Sequence, residues 1–204
     1  MSILPGGVKL LDYVPLWARK RKEIGIPLDV TLLISVGELN ENKNNQVIIE
    51  ALGKIKNKSI HYILCGIGDK EELRQRVHDL DLSTNVHFLR YRSDTKELLN
   101  TSDIFIMSSF REGLSRSVME AMASGLPCIA SRIRGNVDLL ENEKGGYLIC
   151  PNDEDAFSEK VYLLANSPEI RVKMSKVNTE RSKKFDVYKI EREMQEIYIS
   201  KCLI

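Results

Sequence analysis

The sequence predicts an α/β fold: a doubly wound, Rossmann-like parallel sheet of about six strands, closed by C-terminal helices. Three observations carry this. Short apolar runs alternate with stretches of helical periodicity from residue 30 to residue 150, at spacings of about 25 residues or less. The runs are apolar throughout, the pattern of strands covered on both faces. Beyond residue 152 the strand signal stops and only helical periodicity remains.

Each element follows from its residues. Residues 1–29 read as irregular, a linker marked by Pro5-Gly6-Gly7, Pro15 and Pro27. The basic run Arg19-Lys20-Arg21-Lys22 within it reads as the solvated face of a short helix. Residues 31–36 form the first buried strand. Val47, Ile48, Ala51, Leu52 and Ile55 place a helix over 44–55. A strand at 60–65 is followed by a polar helix over 70–80, with Leu73, Val77 and Leu80 on one face. Then come a strand at 86–89, a helix at 95–100, a strand at 104–107 and a helix over 117–124. A strand at 127–130, a helical turn at 137–140 and a strand at 146–149 complete the sheet. Helices over 153–165, 168–184 and 187–199 end the chain, with Asp153 and Ser167 as caps. This divides the chain into a linker (1–29), a Rossmann-like domain (30–184) and a closing helix (185–204).

Composition narrows the function. The chain has 204 residues, 43% of them hydrophobic and 29% charged, enough for a sizeable core. A net charge of +1 lacks the basic excess of a nucleic-acid binder, so any anion site must be local. Cys65, Cys128, Cys150 and Cys202 form no CxxC pair and read as reduced residues, Cys65 and Cys128 inside strands. A cytoplasmic setting follows as the default. No apolar run reaches the ~20 residues of a membrane span.

In a doubly wound sheet, ligands bind outside the carboxyl ends of the strands. After the first strand comes Gly37-Glu38-Leu39-Asn40-Glu41-Asn42-Lys43. Lys43 precedes a helix N-terminus, where free N–H groups favour anions, so it is either a phosphate ligand or a solvated loop lysine. Cys65-Gly66-Ile67-Gly68-Asp69 follows the second strand; Gly66 and Gly68 either let a ligand approach the backbone or make a tight turn. Arg90-Tyr91-Arg92-Ser93-Asp94 follows the third, as a planar-ligand rim or a surface turn. The strongest segment runs from Ser108 to Pro127. It sets Glu112 and Gly113 in a strand-to-helix loop, starts a helix near Ser115 and places Glu120 within it, at most ~12 Å further along. Glu120 adjoins the apolar face of Val118, Ala121 and Met122, where a carboxylate needs a hydrogen-bond partner. Two carboxylates and an anion-binding helix start would then share one cleft.

Together these segments resemble the retaining glycosyltransferases of the GT-B fold, in the large family 4 group. Their signature, a glutamate, seven residues and a second glutamate, stands here as Glu112-Gly-Leu-Ser-Arg-Ser-Val-Met-Glu120, followed by Ala-Met-Ala-Ser-Gly-Leu-Pro. The resemblance extends to Ser35-Val-Gly-Glu-Leu-Asn with Lys43, Cys65-Gly-Ile-Gly-Asp, Asn85-Val-His-Phe, Ser102-Asp-Ile-Phe and Gly145-Gly-Tyr-Leu. It covers residues 30 to 200.

The resemblance implies the donor-binding, C-terminal half of a two-domain enzyme. That enzyme moves a sugar from a nucleoside diphosphate to an acceptor hydroxyl with retention, in cell-surface polysaccharide synthesis. Lys43 would pair with the diphosphate, and Gly37, Gly66 and Gly68 would border the nucleotide. Backbone groups of Tyr91 and Arg92 would contact the base. Glu112 would hold the sugar hydroxyls, Glu120 the ribose, and N–H groups around Gly113, Leu114 and Ser115 the distal phosphate. Lys43 and Glu112 are the expected catalytic residues. No metal or other cofactor is implied, and a UDP-sugar is the expected donor ahead of a GDP-sugar. The acceptor, a sugar or a lipid-linked glycan, would bind an N-terminal half absent from this sequence. Neither a transmembrane segment nor nucleic acid is expected, while peripheral contact with the inner membrane face fits the reading. Glu38 also falls among the expected nucleotide-sugar-binding positions, where many relatives carry an arginine; Lys43 then acts with less help, or Arg111 or Arg116 substitutes, and Glu38 marks a subset of capsule- and exopolysaccharide-type relatives. The alternatives are a sugar-nucleotide epimerase of similar fold and a non-catalytic nucleotide-binding module. The epimerase would need an acid/base constellation, whereas His61, His78 and His87 lie in or beside strands and helices.

Overall fold

The computed structural model describes residues 15–202. These contain one six-stranded sheet, parallel throughout, in the order β3-β2-β1-β4-β5-β6. The strands are β1 (Thr31–Val36), β2 (Ile60–Cys65), β3 (Val86–Arg90), β4 (Ile104–Met107), β5 (Cys128–Ser131) and β6 (Gly146–Ile149). Every residue of β2, β4 and β5 is buried, which is why they read as unbroken apolar runs.

Alternate residues of each strand enter separate cores. Leu33, Tyr62, Leu64, Ile104 and Ile106 pack with Ile48, Ala51 and Leu52 of α2 (Asn45–Ile55) and with Phe157 and Val161 of α7 (Glu154–Asn166). Leu32, Ile34, Ile63, Phe105 and Met107 pack instead with Leu98 and Leu99 of α4 (Thr95–Thr101) and with Val118, Ala121 and Met122 of α5 (Arg116–Ala123). Each fully buried leucine or isoleucine contributes about 1.5–3 kcal/mol relative to exposure. The remaining helices are α1 (Leu16–Glu23), α3 (Glu71–Asp79), α6 (Arg134–Leu139), α8 (Pro168–Ser182) and α9 (Val187–Cys202).

The expectation of irregular chain through residue 29 is corrected over 16–23, which form α1. Its basic run is a solvated face only in part: Arg19 and Lys22 are exposed, while Lys20 is half-buried. Arg21 is buried and donates to the carbonyls of Thr101, Leu28 and Val30 and to Asp103 Oδ2 at 2.7 Å. The same Asp103 oxygen accepts the Leu32 amide at 2.8 Å, so α1 is tied to both β1 and the start of β4. Lys20 pairs with Glu23, Asp94 and Glu97. The Pro5-Gly6-Gly7 segment lies outside the described residues.

Asp153 caps α7, accepting from the Ala156 amide at 2.9 Å. Ser167 does not cap α8 through its side chain; the helix opens instead on Pro168, whose missing N–H costs nothing at that position. Helix α6 is longer than the expected turn and starts earlier, at Arg134. Along α9, Val187, Tyr188, Ile190, Met194 and Tyr198 are exposed.

Candidate active site at the switch point

The strand order reverses between β1 and β4, so their exit loops part and leave a crevice, the usual ligand site of such sheets. The β1 exit, residues 37–44, and the β4 exit, residues 108–115, face each other there. Three links fasten them. The Phe110 amide donates to Asn42 O at 2.8 Å. Asn42 Nδ2 donates to Arg111 O at 3.0 Å. Ser108 Oγ donates to the carbonyls of Lys43 and Asn44 at 3.1 and 2.8 Å. Across this clasp Lys43 Nζ meets Glu112 Oε1 at 2.6 Å. Both side chains are largely covered, at 21% and 16% exposure, so the pair is stronger than a solvated surface contact.

Local sequence explains the placement of Lys43. Asn40 Oδ1 accepts the Lys43 amide at 3.1 Å, folding residues 41–43 into a single tight turn. Asn44 then adopts a left-handed conformation, φ 48° and ψ 38°, which asparagine tolerates. The chain turns there and α2 begins. Gly37 has φ +152°, and a Cβ on it would lie 3.2 Å from Lys43 Cε, so the lysine stem lies across this residue. Glu38 is exposed and accepts from Asn40 Nδ2 at 3.0 Å, which makes it part of the same turn.

Gly66 and Gly68 let two loops pack closely. A Cβ on Gly66 would lie 1.7 Å from Gly37 O, and one on Gly68 2.0 Å from Leu39 O. The exits of β1 and β2 therefore lie backbone against backbone. The Leu39 amide donates to Ile67 O at 2.8 Å, and the Gly37 amide to Cys65 O at 3.0 Å. Beyond Gly68, a cleft of about 800 Å³ is lined by Ile67, Lys70, Arg74, Arg90 and Tyr91. Tyr91 is 74% exposed on its rim. The Arg92 side chain is engaged elsewhere, in a fork to Asp94 at 2.8 and 2.6 Å and with Glu23 at 2.9 Å. Arg92 and Lys20 hold the Asp94 carboxyl well below the usual carboxylate range. The rim that carries Tyr91 is thereby anchored to α1.

Ser115 caps α5, accepting from the Val118 amide, and Leu114 is exposed before it. The first N–H groups of α5 point out of the helix start beside Glu112. Glu120 corrects the sequence reading. It is exposed, at 44% for the side chain, and pairs with Arg116 at 3.8 Å rather than lying against the apolar face of α5. Arg116 is thus turned toward Glu120. The structure brings Lys43 together with Glu112, with Gly37 and Glu38 beside them. No contact among the described residues joins Glu120 to that pair. Sequence reasoning missed Asn42 and Ser108, although the run Asn40, Asn42, Asn44, Asn45 signals a turn built on side-chain hydrogen bonds.

The histidines lie elsewhere. His61 Nδ1 and His87 Nε2 are 3.0 Å apart, and both residues stand second in their strands, toward the opposite edge of the sheet. Burial, aided by His61, pushes the His87 ring down to about 4. Burial pushes the Cys65 thiol up to about 12, and the Cys128 thiol also upward. Cys150 is exposed.

A family model described as glycosyl transferases group 1 matches residues 18–181, from α1 to α8. The chain belongs to that family. Among its relatives, the Bacillus subtilis glycosyltransferase-type protein EpsD is 33% identical over 88% of this chain and 48% of its own length. The Escherichia coli UDP-Gal:alpha-D-GlcNAc-diphosphoundecaprenol alpha-1,3-galactosyltransferase is 27% identical over 98% of this chain and 54% of its own. The chain thus spans about half the length of these glycosyltransferases. In three dimensions it is similar to Anabaena HepE in complex with UDP, at a TM-score of 0.86 and 23% identity, over 91% of this chain and 52% of that one. The group 1 fold, half of GT-B, is therefore the architecture of this chain. Among the described residues no helix is long and apolar enough to cross a membrane.

Proposed function

We propose that this chain is the donor-binding half of a retaining, metal-independent glycosyltransferase that uses a UDP-sugar in cell-surface polysaccharide synthesis. The observation that carries the reading is the Lys43–Glu112 pair, closed at 2.6 Å in the switch-point crevice. Membership in group 1, the polysaccharide-type relatives and the neighbour holding UDP support it.

In the reaction the bond between the anomeric carbon and the diphosphate oxygen breaks, and a bond to the acceptor oxygen forms. Negative charge develops on the departing diphosphate, whose oxygen takes up the proton that the acceptor hydroxyl loses. Lys43 stabilises that charge, with the N–H groups at the start of α5 as a second source of positive potential. Glu112 then turns to the sugar hydroxyls, and Glu120, reaching into solvent from α5, to the ribose. Gly37, Gly66 and Gly68 shape the nucleotide floor, Tyr91 and Arg92 the base rim. Glu38 is held in its own turn and leaves the diphosphate to Lys43. The acceptor, a sugar or lipid-linked glycan, binds a further N-terminal half, and α9 presents its exposed apolar residues to that half. The enzyme works in the cytoplasm at the inner membrane face. The folded donor half includes α1 as well as residues 30–184.

A thermal-shift panel with UDP, GDP and their sugars tests this. Saturation with UDP at about 100 times Kd adds about 2.7 kcal/mol of stability, so the melting temperature should rise by about 5–10 °C. Lys43→Ala should weaken UDP binding at least about tenfold. A flat response of the wild-type chain to every nucleotide would overturn the reading and leave a non-catalytic module.

A further inference from the structure

The Glu112 loop rests on residues that the family reading does not assign. Ser131, at the end of β5, donates from Oγ to Ser109 O at 2.6 Å. The next helix, α6, follows at once. Its fully buried Asn136 donates from Nδ2 to Ser131 O at 2.9 Å. Before it stands Gly135, also buried. A Cβ there would lie 1.7 Å from Gly113 O, 2.6 Å from Gly113 C and 3.0 Å from Glu112 O. These are backbone atoms with no flexible tip to yield. Residue 135 is helical, so glycine is not needed for its conformation, and alanine would favour the helix more. What excludes a side chain is space: the α6 backbone and the Glu112–Gly113 peptide occupy it together.

We propose that Gly135 is a positioning residue. By carrying no side chain it seats the Glu112–Gly113 peptide on α6, and so sets the reach of the Glu112 carboxylate to Lys43. This rests on the reading of Lys43 and Glu112 as the donor site. A methyl at residue 135 drives the loop away by more than an ångström, opening an ion pair that is now 2.6 Å long. Lys43, released from Glu112, is then free for a diphosphate. A shift confined to the Glu112–Gly113 peptide, with the α5 start still held by its Ser115 cap, therefore strengthens binding of UDP itself, whereas general damage to the fold weakens it.

The test is the crystal structure, melting temperature and calorimetric UDP affinity of the wild-type chain and three variants: Gly135→Ala, Ser131→Ala and Val137→Ala. Val137 is exposed on the same helix and serves as the control. In folded Gly135→Ala, Lys43 Nζ and Glu112 Oε1 should stand beyond about 4 Å and UDP should bind about three- to tenfold more tightly. Ser131→Ala should move both readouts the same way by less, and Val137→Ala neither. A closed pair in folded Gly135→Ala, whether UDP affinity is unchanged or reduced, overturns the proposal. If Gly135→Ala does not fold, Ser131→Ala decides, and a wild-type pair and affinity there overturn it. Should the wild-type chain bind no UDP while the pair opens in the variant, the positioning role stands and the donor-site reading fails.

Discussion

At the residue scale the site rests on a competition. Lys43 is paired with Glu112, so under the proposed function a diphosphate displaces a carboxylate to reach it. Glu112→Gln keeps the size and the hydrogen-bonding oxygen but removes the rival charge. Its affinity for UDP should rise about threefold to tenfold, while sugar transfer by the two-domain enzyme falls at least about a hundredfold. Isothermal titration of the variant with UDP, beside activity of the full enzyme, separates the two effects. The placement of Lys43 and Glu112 in one crevice was legible because each follows a strand at a strand-to-helix exit. The exposure of Glu120 was not legible because residues beside an apolar stripe can lie on either flank of it. Here Arg116, one turn earlier, draws Glu120 outward. The glycines left two readings open for another reason. Gly66 and Gly68 show the same absence of side chain whether a ligand or another loop fills the space, and only the fold distinguishes the two.

At the element scale the short helix around the basic run was read, but the buried side of α1 was not. Four consecutive basic residues looked uniformly solvated, yet Ala18 and Arg21, three residues apart, share the buried side of the helix. Arg21 makes its hydrogen bonds in a planar fork that lysine cannot reproduce. Arg21→Ala should destabilise the chain by about 3 kcal/mol in urea or guanidinium unfolding, because Asp103 and the Thr101 carbonyl lose their donor. Arg21→Lys should recover less than half of the loss. The strands and most helices were legible to within a few residues, since two covered faces write a strand as an apolar run and one covered face writes a helix as a stripe. Their ends were less so, because left-handed residues such as Asn44 and Lys56 set them locally.

At the scale of the whole molecule, stability should vary with pH through His87, which is half-buried beside His61 between β2 and β3. The folded chain holds His87 neutral down to about 4, against 6.5 for an unburied histidine. The unfolded chain therefore takes up a proton in that interval that the folded one does not. Stability present above about pH 6.5 is lost as pH falls toward 4, by about 1 kcal/mol at pH 5.5. Unfolding midpoints recorded between pH 7.5 and 5 should decline accordingly, and His87→Gln should flatten the decline. An unchanged slope in that variant would show that other groups set it.

The abutment of Gly66 and Gly68 on residues 37–39 has a consequence for engineering. The two strand exits interlock so closely that neither can be exchanged alone. A chimera that borrows the first loop from a relative must import the second from the same relative. Libraries that diversify one while freezing the other will sample mostly collisions, whereas the Tyr91 rim, fastened separately to α1, is the portion open to independent redesign.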